Sequence, residues 1–251
     1  MTGDNTHCDA LFVGPHPDDV ELFCGGTVAR LVSLGYRVVI VDLTRGEMAS
    51  NGDPESRAAE AQAAATILGV ALRENLGLPD ACLEPTQHAP ALAQAIRAHR
   101  PELIFAPSAF DRHPDHEAAH ALVRRAVFLA GLAKFAPDGG ASFRPTSTLF
   151  YPMHTHARAD LCVSIDATFE LKQRAIDCFS SQLSPPTAGP ATTLNRAAYR
   201  SELVARDRFY GAQIGSVAAE PFISEGPIAV DDPVALFKGQ ALSPWRMRGR
   251  L

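Results

Sequence analysis

Apolar residues in the first half of the chain fall into short runs separated by amphipathic stretches. Asp9–Gly14 (DALFVG), Arg37–Thr44 (RVVIVDLT) and Glu102–Ser108 (ELIFAPS) have the length and β-branched content of strands covered on both faces, and Ala71–Asn75 is a weaker run of the same kind. Between them lie helical patterns. Val20–Gly35 places Val28, Leu31, Val32 and Leu34 on one side and stops at glycine. Pro54–Gly69 is alanine-rich with proline in its first turn, Pro90–Arg100 is short, and Pro114–Ala133 is strong. Repeated β-α units of this length predict an α/β fold, a parallel sheet with helices on both faces, in the strand order 3-2-1-4-5. The second half is less regular. Strands are expected at Thr148–Met153 and Leu161–Ile165 and helices at Thr168–Gln182 and Thr193–Gly215. Ser184–Thr193 (SPPTAGPATT) reads as a mobile loop, too short for a domain linker, and no element is assigned after Pro227. The expectation is one domain over 1–251, with a core at 9–135, a C-terminal elaboration at 146–230 and a tail at 231–251.

Composition narrows the function classes. The 251 residues are 46% hydrophobic and 20% charged, which excludes a disordered chain or a coiled coil. With 23 Lys+Arg against 28 Asp+Glu the net charge is −5, which argues against a nucleic-acid binder working through a basic face. The N-terminus lacks a basic segment followed by an apolar one, and no apolar stretch approaches the roughly 18–20 residues of a membrane span, so a cytoplasmic protein without membrane partners is expected. Cys8, Cys24, Cys82, Cys162 and Cys178 are odd in number, far apart and form no CxxC, and are expected to be idle thiols. The nine histidines are the residues left to carry chemistry.

Two segments concentrate them. Gly14-Pro-His-Pro-Asp-Asp-Val-Glu21 follows the first strand, and Asp111-Arg-His-Pro-Asp-His-Glu117 follows the fourth. In the expected strand order these strands are neighbours at the point where the order reverses, so both segments face one crevice. The first turn is GPHPDD and not GxGxxG, which argues against a nicotinamide or flavin cofactor. His16 and Asp19 are three apart, as are His113 and His116, a spacing that lets side chains at a helix start face the same way. Two imidazoles and one carboxylate form a catalytic zinc set with an open position, and iron or manganese accepts the same ligands. A carboxylate off the metal, for which Asp18 is placed, can take a proton from water. The remaining histidine of the second segment, oriented by Asp115 with its pKa raised, can stabilise an oxyanion. His7, His88, His99 and His120 have no partner in pattern. His154 and His156 stay open between cavity wall and ordinary surface.

GPHPDDVE and DRHPDHE resemble the paired signatures of the PIG-L/LmbE-like zinc-dependent N-acetylglucosaminyl deacetylases. Asp42–Gln62, Arg73–Asp80, Ala106–His116, Ser180–Ser184 and Tyr199–Gly215 resemble the branch that deacetylates N-acetylglucosaminyl malate in bacillithiol biosynthesis. The resemblance covers roughly residues 9 to 225. It implies a Rossmann-like three-layer sandwich, a trimer or hexamer, and a Zn²⁺ ion (Fe²⁺ or Mn²⁺ being alternatives) on His16, Asp19 and His116. It implies Asp18 as general base, with His113 supported by Asp115 at the oxyanion. Tyr199 would reach the reaction centre, and Arg57, Asp80 and Arg112 would contact substrate. The expected reaction is hydrolysis of an N-acetyl group from a GlcNAc-containing small molecule. Other N-acetyl sugars, such as chitooligosaccharides and mycothiol-type or antibiotic precursors, and a metal-stabilised binding protein without turnover are the alternatives.

Overall fold

Strands β1 (Ala10–Gly14), β2 (Val38–Thr44), β3 (Leu72–Leu78), β4 (Leu103–Pro107) and β5 (Ser147–Tyr151) are linked in succession, the four junctions between them running through helices α1 (Asp19–Ser33), α2 (Pro54–Leu68), α3 (Pro85–His99) and α4 (Pro114–Ala130). Then come β6 (Leu161–Ser164), α5 (Phe169–Asp177), α6 (Ser180–Leu183), α7 (Tyr199–Ile214), β7 (Ala219–Ser224) and α8 (Pro233–Phe237). The structure, a computed structural model, describes residues 7–185 and 189–238. The polar N-terminal stretch 1–6, residues 186–188 of the expected loop and 239–251 of the expected tail lie outside the described residues.

The seven strands form one sheet in the order β3-β2-β1-β4-β5-β7-β6. The first five pair in parallel in the expected 3-2-1-4-5 order, and β7 pairs antiparallel with both β5 and β6. β1 and β2 are buried along their whole length, as their apolar runs require. Their side chains alternate between two cores. Ala10, Phe12, Val38 and Ile40 join residues of α1, α2 and α5 on one face, and Leu11, Val13, Val39 and Val41 join residues of α3 and α4 on the other. Among the described residues no helix is long and apolar enough to cross a membrane, and all five cysteines are free thiols.

Local signals set the helix starts. Asp53 and Ser56 cap α2 reciprocally, with Pro54 in its first turn. α3 begins earlier than expected, at Pro85 and not at Pro90. Glu84 accepts the Thr86 N–H, and its own N–H donates to His88 Nδ1. Pro90 withholds one N–H inside the helix, but Thr86, whose carbonyl loses that bond, is exposed to solvent. The expected helix Thr168–Gln182 is broken at Cys178 and Phe179, where Phe179 is fully buried. The expected helix from Thr193 starts only at Tyr199, because Asn195 accepts the Thr192 N–H and holds a turn.

Strand β7 is not among the expected elements. Its sequence, AEPFIS, carries a proline and a glutamate inside the sheet. Glu220 is fully buried, and its partners account for it. α1 kinks at Cys24, and the N–H groups of Gly26 and Thr27 that the kink orphans donate to the two carboxylate oxygens of Glu220 at 3.0 and 2.6 Å. Gly26 is a glycine for contact reasons, since a Cβ there would lie 2.7 Å from Ile165 Cγ2. Lys172, also fully buried, places its ammonium 2.8 Å from Glu220 and 2.6 Å from Asp207. Removing the cation alone strands two buried carboxylates, so Lys172→Met is expected to cost about 3–5 kcal/mol in urea unfolding of the whole chain. A loss under about 1 kcal/mol would mean the triad is not held together by charge.

Candidate active site

Loops at the C-terminal ends of β1, β3, β4 and β5 meet in a cavity of about 490 Å³. His16, Asp18 and Asp19 come from the turn into α1, and His113, Pro114 and His116 from the start of α4. Asp80 follows β3, His154 follows β5, and Gln182 and Thr192–Leu194 form the outer wall. The two motifs expected to face each other therefore do so.

The spacing of three residues works as anticipated in both. His16 Nδ1 lies 3.1 Å from Asp19 Oδ2, and the His113 and His116 rings stack at 4.6 Å. His116 Nε2 approaches the same Asp19 oxygen at 3.4 Å, which places the donors of His16, Asp19 and His116 within 4.8 Å of one another. The far nitrogens decide what these atoms can hold. His16 Nε2 is 3.1 Å from Asp80 Oδ1 and 3.5 Å from Asp115 Oδ2, and His116 Nδ1 is 3.0 Å from Asp111 Oδ1. Carboxylates only accept, so with a metal on the near nitrogens the far ones would carry the protons of neutral rings. The lone pairs of His16 Nδ1 and His116 Nε2 then converge on a carboxylate oxygen, an arrangement that repels unless a cation sits among them. The donor set and the carboxylates behind it fit a divalent metal. Protons show the same field. Burial opposes charge on His16, but hydrogen bonds to Asp115, Asp19 and Asp80 outweigh it and hold its pKa well above the imidazole range. His116 is likewise opposed by burial and raised to about 9, chiefly by Asp19.

Asp18 occupies the N-cap position of α1 but makes no capping bond, so it is not there to cap. Its φ of +124° is a strained conformation for a residue with a side chain. Arg57 holds it: Nη2 lies 3.1 Å from Asp18 Oδ2 and also donates to the Pro17 carbonyl, while Nη1 donates to Gly46 O. Gly46, at φ +67°, must be glycine, because a Cβ would collide with that guanidinium. Burial pushes the Asp18 carboxyl up to about 7, with Arg57 and His16 pulling down and Asp19 and Glu21 adding to the rise.

Three of these residues make contacts that the sequence did not indicate. Arg57, 3% exposed, lines the cavity with its guanidinium against Asp18. Asp80 also lines it, with one oxygen on His16 and the other on the Met48 N–H. The Asp115 carboxylate is not turned to His113: it accepts from the N–H groups of Ala81 and Leu83 and stands behind His16, and Asp115 holds the His113 ring through its backbone N–H alone. His113 Nδ1 accepts the Asp115 N–H as the cap of α4, which leaves its proton on Nε2. Burial, together with the neighbouring His116 and His16, lowers its pKa, which works against the expected cation.

Arg112 stands at the boundary between this cavity and a side chamber of about 220 Å³ and makes no ion pair among the described residues. Tyr199 lines the side chamber, 4% exposed, with its hydroxyl buried and without a hydrogen-bond partner among the described residues. His154 borders both spaces, whereas His156 is exposed, packs on Phe209 and Tyr210 and lines a separate cavity. His88, His99 and His120 have structural partners, namely the Glu84 N–H, Glu74 and the Pro107 carbonyl. Asp111 is the residue the sequence reading passed over. It stands inside the second motif, and its carboxylate gathers His116 and His154.

Residues 11–127 match the family model of PIG-L, the GlcNAc-PI de-N-acetylases. The diacetylchitobiose deacetylase of Thermococcus kodakarensis is 32% identical over 184 residues, covering 68% of this chain and 69% of the relative. A deacetylase of 1D-myo-inositol 2-acetamido-2-deoxy-α-D-glucopyranoside from Kineococcus radiotolerans is 29% identical over 172 residues, and the match spans about half of each protein. Among solved structures, the conserved protein TT1542 of Thermus thermophilus superposes with a TM-score of 0.80 at 40% identity, covering 89% of this chain and 97% of that one.

Proposed function

Because this chain belongs to the PIG-L family of de-N-acetylases, we propose that it is a metal-dependent hydrolase of the N-acetyl group of a small N-acetylglucosaminide, with N-acetylglucosaminyl malate, the precursor in bacillithiol biosynthesis, as its substrate. The observation that carries the hydrolase reading is the strained Asp18, held by Arg57 beside the three-donor cluster without capping its helix. A binding protein needs no such base. On the family resemblance the metal is zinc and the enzyme a cytoplasmic homo-oligomer.

His16, Asp19 and His116 would hold the metal, which when bound polarises an acetyl carbonyl and acidifies water. Asp18 takes the proton of the attacking water as the new C–O bond forms. His113 Nε2–H faces the developing oxyanion and donates to it without itself being charged. As the C–N bond breaks, Asp18 returns its proton to the sugar nitrogen, so the products are acetate and the amine. Tyr199 adds a second donor, its hydroxyl, from the side chamber.

Asp18 must be ionised to act, so kcat/KM is expected to fall as pH drops through an acid limb at or below about 7, since a cation on Asp19 lowers the Asp18 pKa further. Arg57 pulls the same way, so Arg57→Met should move that limb to higher pH, each unit costing about tenfold at a fixed lower pH. An unmoved limb in Arg57→Met would contradict the Asp18 assignment.

The malate part rests on Arg112, a cation beside the reaction chamber without an ion pair among the described residues, which suits an aglycone carboxylate. A second reading, an uncharged N-acetyl disaccharide or glycoside, is favoured by the inward turn of Arg57, which spends its charge on Asp18 and not on a dicarboxylate. Acetate release from N-acetylglucosaminyl malate, its inositol counterpart, diacetylchitobiose and free GlcNAc separates them. The highest kcat/KM on the malate compound, with Arg112→Ala raising KM for that substrate alone, is expected. A preference for diacetylchitobiose overturns the aglycone, and no acetate from any of the four overturns the hydrolase.

A further inference from the structure

His154 has no part in the chemistry above, yet its ring and its backbone are both tied to the Asp111 carboxylate. Its Nδ1 lies 3.1 Å from Asp111 Oδ1 and 3.3 Å from Oδ2, and its backbone N–H donates to Oδ2 at 3.0 Å. Asp111 Oδ1 also accepts from His116 Nδ1 at 3.0 Å and from the His113 N–H at 2.9 Å. One carboxylate oxygen therefore joins the two imidazoles. Two rings stack with His116: His113 at 4.6 Å and 20°, and His154 at 5.3 Å and 12°. The other edge of His154 gains nothing for stability from the described residues, since among them buried Nε2 has no partner, an arrangement that costs free energy.

We propose that His154 is a positioning residue for the metal site: by donating from Nδ1 to Asp111 it fixes the carboxylate that fixes His116, and so aims the His116 Nε2 lone pair at the metal. The proposal rests on the metal-site reading of His16, Asp19 and His116. A metal-binding histidine is held by the partner of its other nitrogen, and here that partner is itself held. The device ties the end of β5 to the start of α4.

Zinc affinity of the full-length protein, measured by competition with a chromogenic chelator, reads this without substrate. His154→Leu is expected to weaken zinc about tenfold to a hundredfold. His154→Phe, which keeps a ring beside His116 but no nitrogen, should lose as much and serves if the leucine variant does not fold. His154→Asn, which puts an amide N–H where Nδ1–H stands, should recover affinity to within about threefold. In an Asp111→Asn background, adding His154→Leu should change affinity by less than about threefold, because the route is already cut. Wild-type affinity in both the leucine and phenylalanine variants overturns the proposal, as does an asparagine variant no better than leucine or an undiminished loss in the Asp111→Asn background. A wild-type protein that takes no zinc overturns both this and the metal reading. One that takes zinc but releases no acetate overturns only the hydrolase.

Discussion

An Asp18→Asn protein is expected to keep its metal and its fold and to lose about 10²–10⁴ in kcat, the usual worth of a positioned acid–base group. The substitution preserves shape and a hydrogen-bond acceptor for Arg57 while removing the site that takes a proton. Asp18 is not among the three converging donors, so metal content should stay at the wild-type level. Turnover within about threefold of wild type, a small fraction of the loss expected for a general base, would remove Asp18 from the reaction. Loss of metal together with activity would instead make it a ligand.

His116→Ala should lose both metal and activity, with turnover at background. Two of the three donors remain, but the Asp19 oxygen shared between His16 and His116 then faces one imidazole, and Asp111 loses the proton it accepts from His116. Metal analysis after gel filtration, beside acetate release, reads both. A metal-replete, active His116→Ala protein would break the triad.

Some of this was legible in the chain and some was not, for physical reasons. A β-branched run such as Val38–Thr44 is buried on both faces, so its pattern alone announces a central parallel strand. Once strands one and four are placed side by side, the two His/Asp motifs at their ends must meet. β7 was hidden because its strand character comes from partners far off in sequence. Glu220 is tolerable only beside Lys172 and the broken turn of α1. The side-chain partners of Arg57, Asp80 and Asp115 were hidden for a similar reason. The sequence places each near the site, but the β3–α3 loop folds back so that the Ala81 and Leu83 N–H groups claim Asp115, and the turn at Gly46 admits Arg57 to Asp18. Asp111 lies five residues before His116, across a cap, where no helical periodicity links them. Its signal was only that it belongs to the motif.

The central claim is that one divalent ion on His16, Asp19 and His116 makes this cavity an N-deacetylase. The most direct measurement is a zinc titration of chelator-stripped wild-type protein while acetate is released from N-acetylglucosaminyl malate and diacetylchitobiose. The expected result is no acetate without metal and a rise that ends at one equivalent per chain. Acetate release from the stripped protein at the full rate, or none at any metal level, would contradict it.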